Sequence, residues 1–240
     1  MKTVGIIGFG RFGQLAARYL APHFNVYASS KSDHSADAKR VGATFTTIEE
    51  CAKKDFVLVT VPISAFRETI QAISPFVRKD ALVFDACSVK EEPVQAMKEL
   101  LPNCECIGTH PLFGPDSAAD SLVGRKIVLC QIRSSRFEKV TAFLESLGLE
   151  VIIATPEEHD KQIAESLGIA YFIGKALNIM ESDKLTIVTP SYVRLLELAR
   201  IVRNDSGQLF NDVHTRNRFA KGARRSLISE LERIDAELKR

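Results

Sequence analysis

One histidine in this sequence stands where acid–base chemistry would need it. His110 follows a β-branched run and precedes a loop rich in proline and glycine, Pro111–Asp116. An imidazole titrates near neutral pH, so it can exchange protons with a substrate under physiological conditions. Facing a bound nicotinamide, it would take the proton of an alcohol that loses a hydride. We therefore expect His110 to be a catalytic base; the alternative is a histidine that only satisfies hydrogen bonds of its loop.

A glycine-rich motif near the N-terminus predicts the site for such a cofactor. G-x-G-x-x-G lies directly after an apolar run and before a helical pattern. The first glycine permits a tight turn, the second lets the backbone approach a pyrophosphate, and the third lets the helix pack on the strand. A purely structural turn is the alternative. The predicted cofactor-binding residues here are Gly8, Phe9, Gly10, Arg11, Phe12 and Gly13.

The end of the second predicted strand bears on the choice of cofactor. Ser29, Ser30 and Lys31 stand where a NAD site usually has an acidic residue for the ribose 2′-hydroxyl. Two hydroxyls and an ammonium group suit a 2′-phosphate, so we expect NADP. The alternative is that Lys31 is only solvated and Asp33 folds back to bind the ribose. The nicotinamide side of the site is expected to be lined by Thr60, Val61, Pro62 and Ser88.

Ser88 and Lys90 follow the predicted strand Leu82–Asp85 and precede a predicted helix. Ser88 is expected either to cap this helix or to hold the nicotinamide carboxamide or the substrate alcohol. Lys90 is expected to add positive charge near an anionic ligand.

Strand and helix patterns alternate over the first part of the chain. The predicted strands are Thr3–Ile7, Asn25–Ala28, Phe56–Thr60, Leu82–Asp85, Glu105–Thr109, Lys126–Leu129 and Glu150–Ile153. The predicted helices between them are Phe12–Leu20, Ala65–Ser74, Glu91–Leu100 and Ser135–Leu147. This alternation predicts an α/β fold with a Rossmann-type, doubly wound, mostly parallel sheet.

The pattern then becomes helical, with predicted helices over 157–180, 190–202 and 208–238. We therefore expect an NADP-binding domain over 1–154 and a smaller all-helical domain for substrate binding and dimerisation over 155–240. Helical domains of this kind often bury apolar faces against a second subunit, which predicts a homodimer.

Composition restricts the class of protein. Hydrophobic residues make up 45% and charged residues 26% of the 240, values typical of a globular protein with a core. A net charge of +2 without a basic run argues against a nucleic-acid partner. There is no membrane-length apolar run and no signal-peptide pattern, so we expect a cytoplasmic protein. The five cysteines form no C-x-x-C pair and the histidines are scattered, which predicts reduced thiols and no metal site.

Five motifs occur in order along the chain: Gly8–Gly13, Ser88–Lys90, His110–Asp116, His159–Asp160 and Asn217–Ala220. Together they resemble the prephenate/arogenate dehydrogenase family, and especially its compact arogenate-type members, over nearly the whole chain. The glycine motif alone is common to many dinucleotide-binding proteins, whereas the block that begins at His110 is much more specific.

The resemblance implies NADP-dependent oxidative decarboxylation of arogenate or prephenate in tyrosine biosynthesis. A ring carbon would lose a hydride, the ring carboxylate would leave as CO2, and the ring would become aromatic. His110 would then be the hydrogen-bond acceptor and general base, without a metal. Two alternatives remain open: an imine or ketone reductase similar to pyrroline-carboxylate reductase, and a non-catalytic NADP-binding sensor.

Substrates of this family are carboxylates, so the resemblance implies an arginine in the helical domain. Arg203 is the first choice, because Leu198–Asp205 resembles the family's substrate-binding region; Arg200 and Arg216 follow, and any of them is otherwise a solvated surface charge. His214 is a further substrate-binding candidate. Asp116 is a candidate for the amino group of arogenate.

The chain also departs from the family. Many relatives carry a histidine-containing block where this chain has Ala164–Tyr171 without histidine, so any substrate contact there is in doubt. The pair His159–Asp160 is expected to cap or pack a helix, with contact to substrate as the alternative. Because the chain ends at Arg240, we expect no fused mutase or regulatory domain.

Overall fold

β-Branched side chains favour extended backbone, and the valine- and isoleucine-rich runs in the first part of the chain form strands. The computed structural model describes residues 1–181 and 184–239. The strands are β1 (Thr3–Ile7), β2 (Asn25–Ser29), β3 (Ala43–Phe45), β4 (Phe56–Val59), β5 (Leu82–Asp85), β6 (Glu105–Pro111), β7 (Lys126–Arg133) and β8 (Glu150–Ile153). The sequence predicts all of these except β3, whose three residues are too few to show a period.

The strands form one sheet in the order β3-β2-β1-β4-β5-β6-β7-β8. Neighbouring strands are parallel except β6 and β7, which are antiparallel. The predicted doubly wound, mostly parallel sheet is therefore confirmed. Strand order reverses between β1 and β4, and ligands of such sheets bind at the carboxyl ends of the strands near that point.

The helices around the sheet are α1 (Arg11–Leu20), α2 (Ser35–Arg40), α3 (Ile48–Ala52), α4 (Ile63–Ile73), α5 (Glu91–Leu100) and α6 (Phe137–Ser146). Apolar residues recur on one face of each longer helix, and α4 buries Ile63, Phe66, Ile70 and Ile73 in this way. The sequence did not predict α2 and α3, because one or two turns are too short for that periodicity.

The remaining elements are α7 (Pro156–Ile163), a π-helical segment (Ala164–Gly168), α8 (Ile169–Ile179), α9 (Pro190–Asn204), α10 (Gly207–Thr215) and α11 (Ala220–Leu238). The helix predicted over 157–180 is therefore interrupted by a π-helical segment. That interruption coincides with the block that lacks the family histidine.

The single helix predicted over 208–238 is wrong, since α10 and α11 are separate helices. Asn217 lies between them and is buried. Its Nδ2 donates to the carbonyl of Asp160 over 2.7 Å, and its Oδ1 accepts from the amide of Phe219 over 2.9 Å. The side chain of Asn217 thus satisfies backbone groups at the break, where the helical ladder stops.

The chain divides into two compact units, Met1–Pro156 and Glu157–Arg240. The first contains the sheet and the second contains helices. That the first binds cofactor and the second binds substrate stays a prediction at this point. In the part of the chain that the structure describes, no helix is long and apolar enough to cross a membrane.

Candidate functional site

The glycine motif has the geometry of a dinucleotide site. Gly8 has a φ of +98°, and a Cβ there would lie 2.9 Å from the backbone of Thr60. A Cβ at Gly13 would lie 2.3 Å from the Gly8 carbonyl oxygen. These two glycines are required by the fold itself. A Cβ at Gly10, in contrast, would meet nothing within 4 Å, so a side chain would only fill space next to the helix N-terminus.

The N-terminus of α1 is suited to an anion. Gly10 is its N-cap residue, and no side chain caps it. The first amides of a helix lack intrahelical acceptors and carry the positive end of the helix dipole. A pyrophosphate therefore fits the residues present, with Gly10 allowing close approach and the amides after it donating hydrogen bonds.

Thr60 holds the glycine turn from the neighbouring strand. Its amide donates to the Ile7 carbonyl over 2.8 Å, and its hydroxyl donates to the Gly8 carbonyl. Phe9 is fully buried in the core, so only its main chain is available to a cofactor. Thr60 and Phe9 thus shape the predicted site from within the protein.

The loop after His110 contacts the glycine-rich segment. Arg11 forms an ion pair with Asp116, and the rings of Phe12 and Phe113 pack with centroids 6.3 Å apart. The structure therefore brings two motifs, about a hundred residues apart in sequence, to one edge of the sheet. The carboxylate of Asp116, a candidate for a substrate amino group, is engaged by Arg11.

His110 lies near the end of β6 and is 5% exposed. It is opposite Val128 of β7. Because β1, β4, β5 and β6 are parallel, the carboxyl end of β6 is at the same sheet edge as the glycine turn. The first unit thus places the predicted base and the predicted cofactor residues at one edge.

Lys90 does not stand as an exposed charge at the start of the helix. Its side chain is fully buried and forms an ion pair with Asp85, which is equally buried. Ser88 does not cap α5 either, because the helix begins at Glu91 with Lys90 as its N-cap residue. The side chain of Ser88 is half-buried. That its hydroxyl holds the nicotinamide carboxamide or the substrate alcohol stays a prediction.

The adenosine end of the predicted site is formed by the end of β2. The carbonyl of Ser29 accepts from the Gly8 amide over 2.8 Å, whereas Lys31 is exposed. Asp33 accepts from the amide of Ser35 over 2.9 Å, and that hydrogen bond lowers the pKa of its carboxyl group. Asp33 therefore has a local role at the start of α2.

The arginine candidates of the second unit have different surroundings. Arg203 donates from Nε and Nη2 to Oδ1 of Asn178 over 3.1 and 2.9 Å. The Nε of Arg216 lies 3.7 Å from Oδ1 of Asp212. Arg200 is exposed. The amide of Asn178 thus orients the guanidinium of Arg203, the first choice among the three.

His214 is buried between aromatic rings. Its ring lies 4.5 Å from that of Phe210 and 6.1 Å from that of Phe172, between centroids. Burial, together with the charge of Arg224, lowers the pKa of His214 to about 4. Among the described residues its buried Nε2 has no hydrogen-bond partner. Arg224 was not among the residues predicted from the sequence.

The pair His159–Asp160 is buried within α7, where Nδ1 of His159 lies 2.7 Å from Oδ1 of Asp160. All five cysteines are buried, and none of them is in a disulfide bond. Among residues 1–181 and 184–239, no group of three histidine, cysteine or acidic side chains could hold a metal ion.

Residues 15–169 match the family model described as prephenate dehydrogenase, nucleotide-binding domain. This match covers more than half of the chain. The chain belongs to the prephenate dehydrogenase family. Residues 176–240 match a second model, described as TYRAAT1-like, C-terminal domain.

Individual relatives agree with this assignment. The chain is 31% identical to arogenate dehydrogenase 1, chloroplastic, of Arabidopsis thaliana, over 97% of this chain and 38% of the relative. It is 29% identical to the probable arogenate/prephenate dehydrogenase of Methanocaldococcus jannaschii, over 99% of this chain and 57% of the relative. The chain thus spans about two fifths to three fifths of the length of these relatives.

The fold agrees as well. The crystal structure of prephenate dehydrogenase from Aquifex aeolicus in complex with hydroxyphenyl propionate and NAD+ superposes with a TM-score of 0.78. The two chains are 22% identical, and the match covers 99% of this chain and 91% of that one. At this identity the likeness establishes the prephenate dehydrogenase fold.

Within this member of the prephenate dehydrogenase family, sequence reasoning missed Asp85. It follows an apolar run in a strand, Leu82–Phe84, so its position at the strand end was visible. The one available signal was the lysine five residues later, since two opposite charges at a strand end can pair in the interior. Their pairing itself depends on the tertiary structure.

Proposed function

We propose that this protein is an NADP-dependent dehydrogenase that oxidatively decarboxylates arogenate or prephenate, in the synthesis of tyrosine. The observation that carries the proposal is the placement of His110. It is buried at the sheet edge that also holds the glycine turn, in a chain that belongs to the prephenate dehydrogenase family. A titratable side chain at such an edge is a candidate for acid–base chemistry.

The chemistry assigns one proton path to His110. The bound NADP+ supplies the hydride acceptor. The imidazole of His110 takes the proton of the substrate hydroxyl as the ring carbon that bears this hydroxyl loses its hydride. The bond to the ring carboxylate then breaks, its electron pair enters the ring, and CO2 leaves. The imidazolium returns its proton to the ring oxygen, which gives a phenol and restores the base.

The proposal of NADP rests on the end of β2. Ser30 and Lys31 offer a hydroxyl and an ammonium group to a 2′-phosphate. Asp33, the alternative ribose ligand, already accepts from the Ser35 amide. Gly8, Gly10, Gly13 and the start of α1 would hold the pyrophosphate. The nicotinamide would be bound by Thr60–Pro62 and Ser88.

The substrate carboxylate is proposed to bind an arginine of the second unit, with Arg203 as first choice. Its guanidinium is held by Asn178 through two hydrogen bonds, which reduces the entropy lost when a carboxylate binds. Arg200 and Arg216 follow. His214 is proposed as a neutral hydrogen-bond donor to substrate and Asp116 as a ligand of an ammonium group.

The proposed homodimer is supported by α11. Leu231, Ile234 and Leu238 recur on one face of this helix and are 56%, 46% and 81% exposed. Among the described residues of α11, only Ala220 is buried. A helix with an exposed apolar stripe usually packs on a partner, and a second copy of this chain offers the matching stripe.

The experiment is to add arogenate or prephenate to the purified protein with NADP+ or NAD+, and to follow NADPH or NADH absorbance and CO2 release. Coupled reduction and decarboxylation with either substrate supports the proposal. Cofactor binding without turnover of either substrate would instead indicate a sensor. Reduction of cyclic imines as the main activity would indicate the reductase.

A further inference from the structure

A buried ion pair holds the main chain just before His110. Thr109 donates from its amide to Oδ1 of Asp85 over 2.8 Å, and its carbonyl accepts from Nζ of Lys90 over 2.6 Å. Asp85 and Lys90 are also paired with each other, and both side chains are fully buried. The two members of one ion pair thus satisfy both main-chain polar groups of Thr109.

The sheet explains why side chains must satisfy the main-chain groups of Thr109. The ladder between β5 and β6 ends at the pair Phe84–Ile107. Thr109 lies beyond it, so its amide and carbonyl face the side where β5 has ended. Buried main-chain groups without partners cost free energy. The side chains of Asp85 and Lys90 take the place of the missing strand.

We propose that the ion pair Asp85–Lys90 is a positioning device for His110. It fixes the backbone from which the imidazole projects, and its members carry opposite charges, so that neither charge acts alone on this segment. Lys90 and Asp85 act through the main chain of Thr109 and are therefore positioning residues. This inference rests on the proposed role of His110 as general base.

The charges of Asp85 and Lys90 must balance each other because both are buried. A single charge in a protein interior acts on a neighbouring imidazole much more strongly than the same charge in water. An uncompensated carboxylate would favour the imidazolium and raise the pKa of His110, whereas an uncompensated ammonium would lower it. With both present, the two effects on the imidazole oppose each other.

Other charged groups on the neighbouring elements are screened by water. Lys126 and Arg133 on β7 are exposed, and Glu91 and Glu92 in the first turn of α5 and Glu105 at the start of β6 are half-buried. The thiols of Cys87 and Cys130 are buried as well. Asp85 and Lys90 are the fully buried charges in this set.

The test uses variants that change charge but keep hydrogen-bonding atoms. Asp85→Asn keeps an oxygen for the Thr109 amide, and Lys90→Gln keeps a donor for the Thr109 carbonyl. The pKa of His110 is measured in each full-length variant by NMR titration of labelled histidines, with His110→Asn identifying the resonance. We expect Lys90→Gln to raise this pKa, and Asp85→Asn to lower it, by about one pH unit or more.

The double variant should bring the pKa back towards that of the wild type, because both charges are gone. The control is Arg136→Met, which removes the ion pair with Glu105 at the other end of β6 and should leave the His110 pKa unchanged. Removing the ion pair with the double variant Asp85→Ala/Lys90→Met should lower kcat by about 10- to 100-fold, with a smaller change in KM.

Shifts in the same direction in both single variants, or no shift in either, would overturn the inference. If one single variant does not fold, the other and the double variant still give the comparison. The NMR titration needs no turnover. A wild type inactive towards arogenate and prephenate would therefore refute the proposed function. Opposite shifts of the His110 pKa in the two single variants would still support the positioning role of Asp85 and Lys90.

Discussion

Arg224 donates from Nη1 to Nδ1 of His214 over 2.9 Å. Since a guanidinium has no acceptor, Nδ1 must accept and the proton of the neutral imidazole lies on Nε2. That Nε2 is buried and has no partner among the described residues. The arginine thus selects the tautomer and also opposes protonation of the ring, which leaves a neutral donor inside the second unit.

This arrangement predicts acid sensitivity. His214 has a pKa of about 4 in the folded protein against an ordinary value of 6.5, so the unfolded chain binds a proton more readily. The stabilising contribution is complete above pH 6.5 and is lost as the pH falls towards 4, by roughly 2–3 kcal/mol. Urea unfolding at a series of pH values measures it.

The matched comparison is His214→Phe, which should show a flatter dependence of unfolding free energy on pH over this range. His23→Gln, at a ring that packs on Phe143, should keep the wild-type slope. An unchanged slope in His214→Phe would show that His214 does not lose its proton affinity on folding.

His110→Asn should lower kcat by about 10²- to 10⁴-fold, because an amide replaces the imidazole but cannot accept the proton. The dissociation constant of NADP should stay nearly the same, since the glycine turn is intact. Steady-state kinetics and cofactor titration measure the two quantities. His23→Asn is the control for a general effect of losing a histidine, and wild-type turnover in His110→Asn would exclude His110 as base.

Lys31→Met should lower kcat/KM with NADP by about 10- to 100-fold, the value of a charge-assisted hydrogen bond. Efficiency with NAD should change little, because NAD has no 2′-phosphate. Lys39→Met removes an exposed lysine of α2 and should leave the ratio of the two efficiencies unchanged. A strong preference of the wild type for NAD would contradict the assignment of NADP.

Arg203→Met should raise the KM for substrate by about 10- to 100-fold with a smaller effect on kcat, since a carboxylate contact made before and during the reaction is lost. Arg203→Lys should recover only part of the loss, because lysine does not bind a carboxylate in two places. Arg200→Met and Arg216→Met are the comparisons. A larger KM effect at either of them would transfer the role to that arginine.

Leu231→Lys/Ile234→Lys should convert the proposed dimer into a monomer, because two charges would enter its apolar interface. Light scattering coupled to size exclusion measures the mass. Glu232→Lys changes the charge of the same helix on another face and should leave the dimer intact. A wild type that is monomeric at all concentrations would refute the dimer.

Much of the fold is specified by local sequence patterns. The glycine motif, the apolar strands β1, β4 and β5, and helix α5 are specified by spacing over a few residues, which is why they could be predicted. Shorter elements such as β3 and α2 could not, since they contain too few residues for a period.

Side chains with distant partners were the source of error. From the sequence, Lys90 was expected to add a positive charge near a ligand. In the structure it is buried, and its ammonium group is bound by Asp85 and by the carbonyl of Thr109, which is 19 residues away. Asn217 looks like part of a continuous helix, but a carbonyl 57 residues earlier makes it the break between two helices.

The sequence by itself determined the doubly wound sheet and which residues stand at its strand ends, because hydrophobic period and turn residues act over one or two turns of chain. Only the tertiary structure decided that Lys90 is buried, that Arg11 engages Asp116 and that Arg224 holds His214 neutral. Each of these depends on side chains from separate parts of the chain, which only folding brings within hydrogen-bonding distance.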